Sequence, residues 1–257
     1  MTPAPAEEPQ RSFVAPCRAL APSAPWRWLR LGWQDVVSAP VQSLTYGAGI
    51  ALLSATVLAI GLRYGTGWTV IVLISAFVFV APVLAMGLYT ISATLAAGRR
   101  PSLGVCLGLT RRALADALVY SLMLMVICLL WIRAGSAIEI FFPEQSEPDR
   151  AALITFLAIG SVVGSVFALV AFAASAFSLP MIADRQVDAV TTVVTSINAV
   201  LRNRRAMAVW VVLIVASVLA GFALGVIGLA ITMPLIGHAT WHAYREAIDA
   251  SIWPPRA

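Results

Sequence analysis

The chain alternates long apolar runs with short polar joints, and this pattern predicts helices that cross a bilayer. Runs over 41–62, 68–97, 115–141 and 151–181 are each long enough to span. Residues 207–245 are apolar almost throughout. As one helix they would reach about 58 Å at about 1.5 Å per residue, roughly twice the hydrocarbon core, so they fold back on themselves. Gly221, Gly225 and Gly228 mark the hairpin, which brings the number of spans to six.

Three shorter segments carry an apolar stripe on one side only. In 27–39, Leu29, Trp33, Val36 and Val37 share a face, with Arg27, Arg30, Gln34 and Asp35 off it. In 187–201, Val190, Val193, Val194, Ile197, Val200 and Leu201 form a stripe opposite Asp188, Thr191, Thr195 and Asn198. The segment 103–114 is weaker but similar, with Arg111 and Arg112 at its polar end. Such segments read as helices lying on the membrane surface. On this reading Val193→Asp or Ile197→Asp lowers the amount of folded protein, and Thr191→Asp is tolerated.

The order surface helix, span, span then occurs three times. The second span of each unit carries a proline: Pro82, Pro180 and Pro234. The predicted fold is an all-α polytopic membrane bundle with six transmembrane helices, three amphipathic interfacial helices and three parallel hairpin repeats. Residues 25–250 form its single membrane domain. Residues 1–24, rich in Pro and Ala, read as a mobile tail, and 251–257 as a short carboxyl-terminal tail.

Composition agrees. The chain is 60% hydrophobic and 11% charged, with mean hydropathy +0.90; a soluble domain carries about 25% charged residues. The 17 basic residues are all arginine, which excludes Schiff-base and P-loop lysines. With the amino terminus inside, 14 of the 17 fall in cytoplasmic segments, the distribution of the positive-inside rule. That accounts for the net charge of +5 without nucleic acid as a partner. Both termini are expected in the cytoplasm. Trp26, Trp28, Trp33, Trp210 and Trp241 are expected in an inner aromatic belt, Trp68 and Trp131 in an outer one. Cys17, Cys106 and Cys128 show no metal or redox spacing and read as reduced structural thiols.

His238 and His242 are the only histidines, spaced to share one helix face. That suits two metal ligands or two interface anchors. Aligning the three prolines puts Met86, Asp184 and His238 in one register and Thr90, Asp188 and His242 in the next. If the units converge, His238, His242, Asp184 and Asp188 form a carboxylate–imidazole site for a divalent metal. The competing roles are an ion pair with Arg185 for Asp184 and a helix cap for Asp188. No nucleophile or zinc-protease motif is present, and the spans hold no mid-membrane ionisable group of the kind ion-driven pumps use.

The segments WRWLRLGWQDVVSAP, APVLAMGLY, LPMIADRQVDAVTTVVTSINAVLRN and MPLIGHATWHAYRE resemble the bacterial integral membrane family DUF2189, a domain of unknown function, over 25–247. A weaker likeness runs to the membrane domain of some glycerophosphodiester phosphodiesterases. The resemblance implies an inner-membrane protein without an assigned activity; some family members carry a cytochrome c oxidase label. Two histidines on one helix cannot build a haem–copper core. The expected role is non-catalytic binding of lipid or another membrane protein, including assistance to a respiratory complex. The alternatives are a transporter or channel for an amphiphilic solute and a metal-dependent membrane enzyme using the His/Asp cluster.

Overall fold

The computed structural model describes residues 13–65, 73, 84–141 and 150–256. Helices dominate these residues, in the order α1 (Ala24–Ser38), α2 (Pro40–Tyr64), α3 (Leu84–Ala96), α4 (Leu103–Arg112), α5 (Leu114–Phe141), α6 (Arg150–Ser175), α7 (Ser178–Asp184), α8 (Ala189–Arg202), α9 (Arg204–Ala223) and α10 (Leu229–Ala247). No strand occurs among the described residues. Trp68, Pro82, Glu144, Glu147 and Asp149 lie outside them, as does much of the span expected over 68–97.

Four described segments are long and apolar enough to cross a membrane: Pro40–Tyr64, Leu114–Ala137, Ile154–Asp184 and Arg204–Ala223. The expected sixth span, α10, is a 19-residue helix that falls short of this measure. Its second half carries His238, Trp241, His242, Tyr244, Arg245 and Glu246. It is the central helix, packed by α1, α2 and α9.

The hairpin between α9 and α10 forms at the predicted glycines. Gly225 has φ +71°, a conformation that favours glycine. A Cβ on Gly228 would meet the Gly221 carbonyl at 2.5 Å, and one on Gly221 would meet Leu229 at 2.6 Å. Inside α10, Pro234 cannot donate to the carbonyl of Ala230. Gly47 of α2 packs against that carbonyl and the Pro234 ring, where any side chain would collide. On α1, Gly32 does the same job: a Cβ there would lie 2.7 Å from the Ala239 nitrogen.

The three amphipathic segments form helices α1, α4 and α8 where the apolar stripes predict them. Ser102 caps α4 by accepting from the Val105 amide at 3.3 Å, and Asp188 caps α8 by accepting from the Thr191 amide at 2.8 Å. Their faces differ from expectation. On α8 the buried residues are Ala189, Thr191, Thr192, Thr195, Ser196 and Ala199; of the expected stripe, Val193 and Val200 pack half-buried against the core, while Val190 and Leu201 are exposed. Ser196 donates to the Ala173 carbonyl and accepts from the Phe177 amide; Thr195 accepts from the Ala15 amide. On α4 the buried residues are Cys106 and Thr110, with Val105 and Leu107 outward. In a membrane protein lipid accepts an apolar outer face, so small hydrogen-bonding residues face the protein. Thr191, expected on the outward polar face, is buried.

The tryptophans divide in the same way. Trp26 and Trp33 point outward, whereas Trp28, Trp210 and Trp241 are core residues rather than a belt. Trp28 meets Trp210 edge-on at 5.5 Å, a geometry worth about 1 kcal/mol beyond the area buried. Residues 13–24 and 251–256, expected as tails, pack onto this core. Ala15 and Trp253 are buried, the Arg18 amide donates to the Ala247 carbonyl, and the Asp249 amide donates to the Pro16 carbonyl. Asn203 holds the amino-terminal segment by accepting from the Leu20 amide and donating to the Arg18 carbonyl. Extended backbone there needs partners, and the polar faces of α8 and the chain's own carboxyl-terminal segment supply them.

Candidate functional site

The densest polar constellation sits where α1, α2, α3 and α10 meet. Each helix contributes one or two polar side chains to an otherwise apolar contact: Asp35 from α1, Ser43 from α2, Ser92 from α3, and His238 and His242 from α10. His238 is fully buried, as are Ser43 and Ser92. Its Nε2 lies 2.9 Å from Ser43 Oγ and its Nδ1 lies 2.7 Å from Ser92 Oγ. Ser92 Oγ donates to Asp35 Oδ2 at 2.6 Å, and His242 Nε2 stands 2.9 Å from the same oxygen.

The donors can be assigned by counting protons. A serine hydroxyl has one, and Ser92 gives it to the carboxylate. His238 Nδ1 must then carry a proton for Ser92 to accept, and Nε2 of the neutral ring is left to accept from Ser43. Four helices are thus joined by one chain of bonds ending on Asp35. Each bond is buried or half-buried, where leaving a partner unpaired costs about 1–3 kcal/mol.

Ser43, His238 and Asp35 have the order of a nucleophile, base and acid, with Ser92 interposed. A substrate must still reach the hydroxyl. Ser43 is fully buried. An apolar cavity of about 90 Å³ lies near α10, between Ile50, Leu88, Met233 and Gly237, and Ser43 does not line it. Among the described residues the constellation joins four helices.

The predicted site residues divide between three places. His238 and His242 share one helix face as their spacing requires; His242 meets Asp35 directly and His238 is linked to it through Ser92. Asp184 accepts from the Tyr244 hydroxyl at 2.8 Å, Arg185 Nε at 3.0 Å and an Arg245 nitrogen at 3.3 Å. Asp188 is the α8 cap; burial works against its ionisation, but hydrogen bonds from Thr191 more than offset this and hold its carboxyl below the usual range. Met86 and Thr90, aligned with these positions, are buried core residues of α3. The structure does not bring the two aspartates to the two histidines. Among the described residues, no group of three or more His, Cys, Asp or Glu is placed to hold a metal ion.

A second polar region surrounds Arg256. Its guanidinium donates to Asp116 at 2.6 Å and to the carbonyls of Arg112 and Arg185 at 3.0 and 3.1 Å. It lines a cleft of about 450 Å³ with Asp116, Gln186 and Asp188. Trp28 and Arg27 of α1 both bond to Glu246 of α10, the former at 2.9 Å.

Sequence reasoning missed Asp35, Ser43, Ser92, Glu246 and Asn203. Asp35 read as one of several polar residues on the solvent side of α1, and Ser92 stands between Thr90 and Thr94, so neither stood out. Nothing in spacing links Asp35 to residues some 200 positions away.

Length, apolar content and exposed apolar helices define a helical integral membrane protein. The model of the family DUF2189, described as predicted integral membrane protein, matches residues 70–184. The match takes in α3 to α7 and stops short of the GHATWHAYR stretch of α10. Comparison with curated proteins and with solved structures finds no match.

Proposed function

We propose that the chain is a non-catalytic, six-span protein of the bacterial inner membrane that binds anionic lipid headgroups at its arginine-rich end. One observation carries this reading: the surface helices turn apolar side chains outward beside arginines that have no acidic partner. Trp26, Trp33 and Val37 on α1, Val105 and Leu107 on α4, and Val190 and Leu201 on α8 are all exposed. Beside them stand the exposed Arg30, Arg99, Arg100, Arg111, Arg202, Arg204 and Arg205. None of these seven is in an ion pair among the described residues. Apolar side chains entering the acyl boundary with arginines at headgroup level is the usual design of an anionic-lipid contact, at about 1 kcal/mol per arginine.

Six spans, three units and cytoplasmic termini belong to the same proposal. The element order supports it, since a short helix, a long helix and a further helix follow one another three times: α1 to α3, α4 to α6, and α8 to α10. The arginine distribution supports the orientation.

The test is lipid retention. The protein is reconstituted with equal parts of phosphatidylcholine and phosphatidylglycerol, and bound lipids are counted by native mass spectrometry. The expected result is preferential retention of phosphatidylglycerol, reduced in a variant with Arg202, Arg204 and Arg205 all changed to Gln. Equal retention of the two lipids by the wild type overturns the reading.

A further inference from the structure

We propose that the apolar cavity between α2, α3 and α10 binds an uncharged chain molecule from the lipid phase, whose terminal oxygen accepts a hydrogen bond from Tyr89. The site lies apart from the arginines and does not depend on lipid headgroup binding. Its mark is a spare proton donor. Tyr89 is 7% exposed and lines the cavity. Its hydroxyl makes no hydrogen bond among the described residues. Other tyrosines differ. Tyr244 donates to Asp184. The Tyr46 hydroxyl is unbonded as well, but packing encloses it. That of Tyr89 is not enclosed, and the cavity is the space it meets.

The walls select the ligand. No charged side chain lines the cavity, so an ion entering it would be left unpaired. Thr240 spends its own proton on the Ile236 carbonyl, which leaves the Tyr89 proton as the one side-chain hydroxyl proton on offer. The ligand must therefore bring an acceptor, such as a carbonyl or ether oxygen. Water is a poor match. It needs about two to four polar partners, and beyond Tyr89 and Thr240 the lining side chains are hydrocarbon, glycine and a thioether. Size selects further. An apolar cavity of about 150 Å³ holds benzene. This one, of about 90 Å³, takes about four heavy atoms, the end of a molecule and not the whole. The half-buried Leu84, Ala85 and Met233 stand at its edge, where the remaining chain can leave toward lipid. Ile50, near the middle of the candidate span α2, puts the cavity at hydrocarbon depth. A molecule that reaches this depth with an oxygen at one end is uncharged and mostly hydrocarbon, the class of long-chain ketones, aldehydes and ethers.

The probe is methyl nonyl ketone carrying ¹³C at its carbonyl. Full-length protein labelled with ¹³Cζ-tyrosine is reconstituted in phosphatidylcholine vesicles, which hold no anionic lipid, and read by solid-state NMR. Tyr64→Phe serves as the background, because Tyr64 is the one exposed tyrosine. The expected spectrum shows a second carbonyl resonance, downfield of ketone dissolved in the bilayer, that saturates at one per chain and transfers magnetisation to a tyrosine Cζ. Tyr89→Phe, which removes only the oxygen, should abolish the downfield resonance. Ala85→Leu, which adds three carbons to the cavity wall, should abolish it too. A single bilayer resonance at saturating ketone overturns the proposal, and that is the result if water is the partner of Tyr89. A downfield resonance that survives Tyr89→Phe also overturns it. If either variant fails to fold, the transfer to tyrosine in the background protein decides: its absence overturns the site.

Discussion

The arginine-rich end and the α5–α6 hairpin are built from the same apolar alphabet, yet they pack in opposite ways. In α10, 11 of 19 residues are buried. In the most apolar window of Ile154–Asp184, none is. The difference lies in what each helix offers a neighbour. The central helix places Gly237, Ala239, Ala243 and Ala247 at its contacts, so backbones come close and hydrogen bonds between helices become possible. The hairpin carries large aliphatic residues on most sides: Leu157, Val162, Val166, Leu169 and Val170 are exposed on α6, and Leu122, Val126 and Leu129 on α5. Lipid satisfies those side chains as well as a protein neighbour would, so nothing draws the hairpin into a core. Small residues at the helix contacts mark where backbones come close, and the aliphatic faces of α5 and α6 mark an outside that lipid can cover.

That contrast can be broken by substitution. The largest effect is expected at glycines. Gly32→Val forces atoms into the α10 backbone and should cost about 3 kcal/mol, or prevent folding. Gly160→Val on α6 has no atom within 4 Å to meet and should be neutral within about 0.5 kcal/mol. Thermal melting in detergent, with monomer yield by gel filtration, separates the two. Equal sensitivity would mean that α6 is covered by something outside the chain.

Next comes the polar network. His238→Leu strands the buried Ser43 hydroxyl, leaves Ser92 with Asp35 alone and should lose about 2–3 kcal/mol, while His242→Leu, partly exposed with one partner, should lose about 1 kcal/mol. A larger loss at His242 would place the weight of the network on its Asp35 bond instead. Smaller again is the α8 face. Ser196→Val removes two hydrogen bonds and should cost about 2 kcal/mol, against about 0.5 kcal/mol or less for Val190→Ala on the outward stripe. The reverse ranking would restore the apolar stripe of α8 as its packed face.

The smallest effect concerns pH. The carboxyl of Asp188 is held below the usual range in the folded protein, so its contribution is present above the ordinary carboxylate range and lost as pH falls through the lowered folded value. Asp188→Ala should cost about 1 kcal/mol near neutrality and nothing in strong acid, read as converging melting curves. Curves that stay parallel to low pH would show that the cap acts without its charge.

Helix positions, the α9–α10 hairpin and the three surface segments were legible because they follow from local signals: apolar run length, glycine, proline and amphipathic period. The class of protein followed from composition alone. The site was legible only in part. The four-residue spacing correctly put His238 and His242 on one face, but the partner assigned to them, Asp184 with Asp188, sits at a different junction and is spent on Tyr244, Arg185 and a helix cap. Which face of a surface helix turns inward was equally out of reach. In water the apolar stripe must be buried, and pattern reading works by that rule; beside lipid the stripe has a second home, and the inward face goes to whichever residues allow close approach and hydrogen bonds. Trp28 and Trp241 lie in the core, where Glu246 accepts from the Trp28 indole and Tyr244 adjoins Trp241. Local sequence therefore determined the elements, and only the tertiary structure decided their orientation and the partners of Asp35. Those depend on contacts between helices far apart in the chain, in a medium where hydrophobicity no longer distinguishes inside from outside.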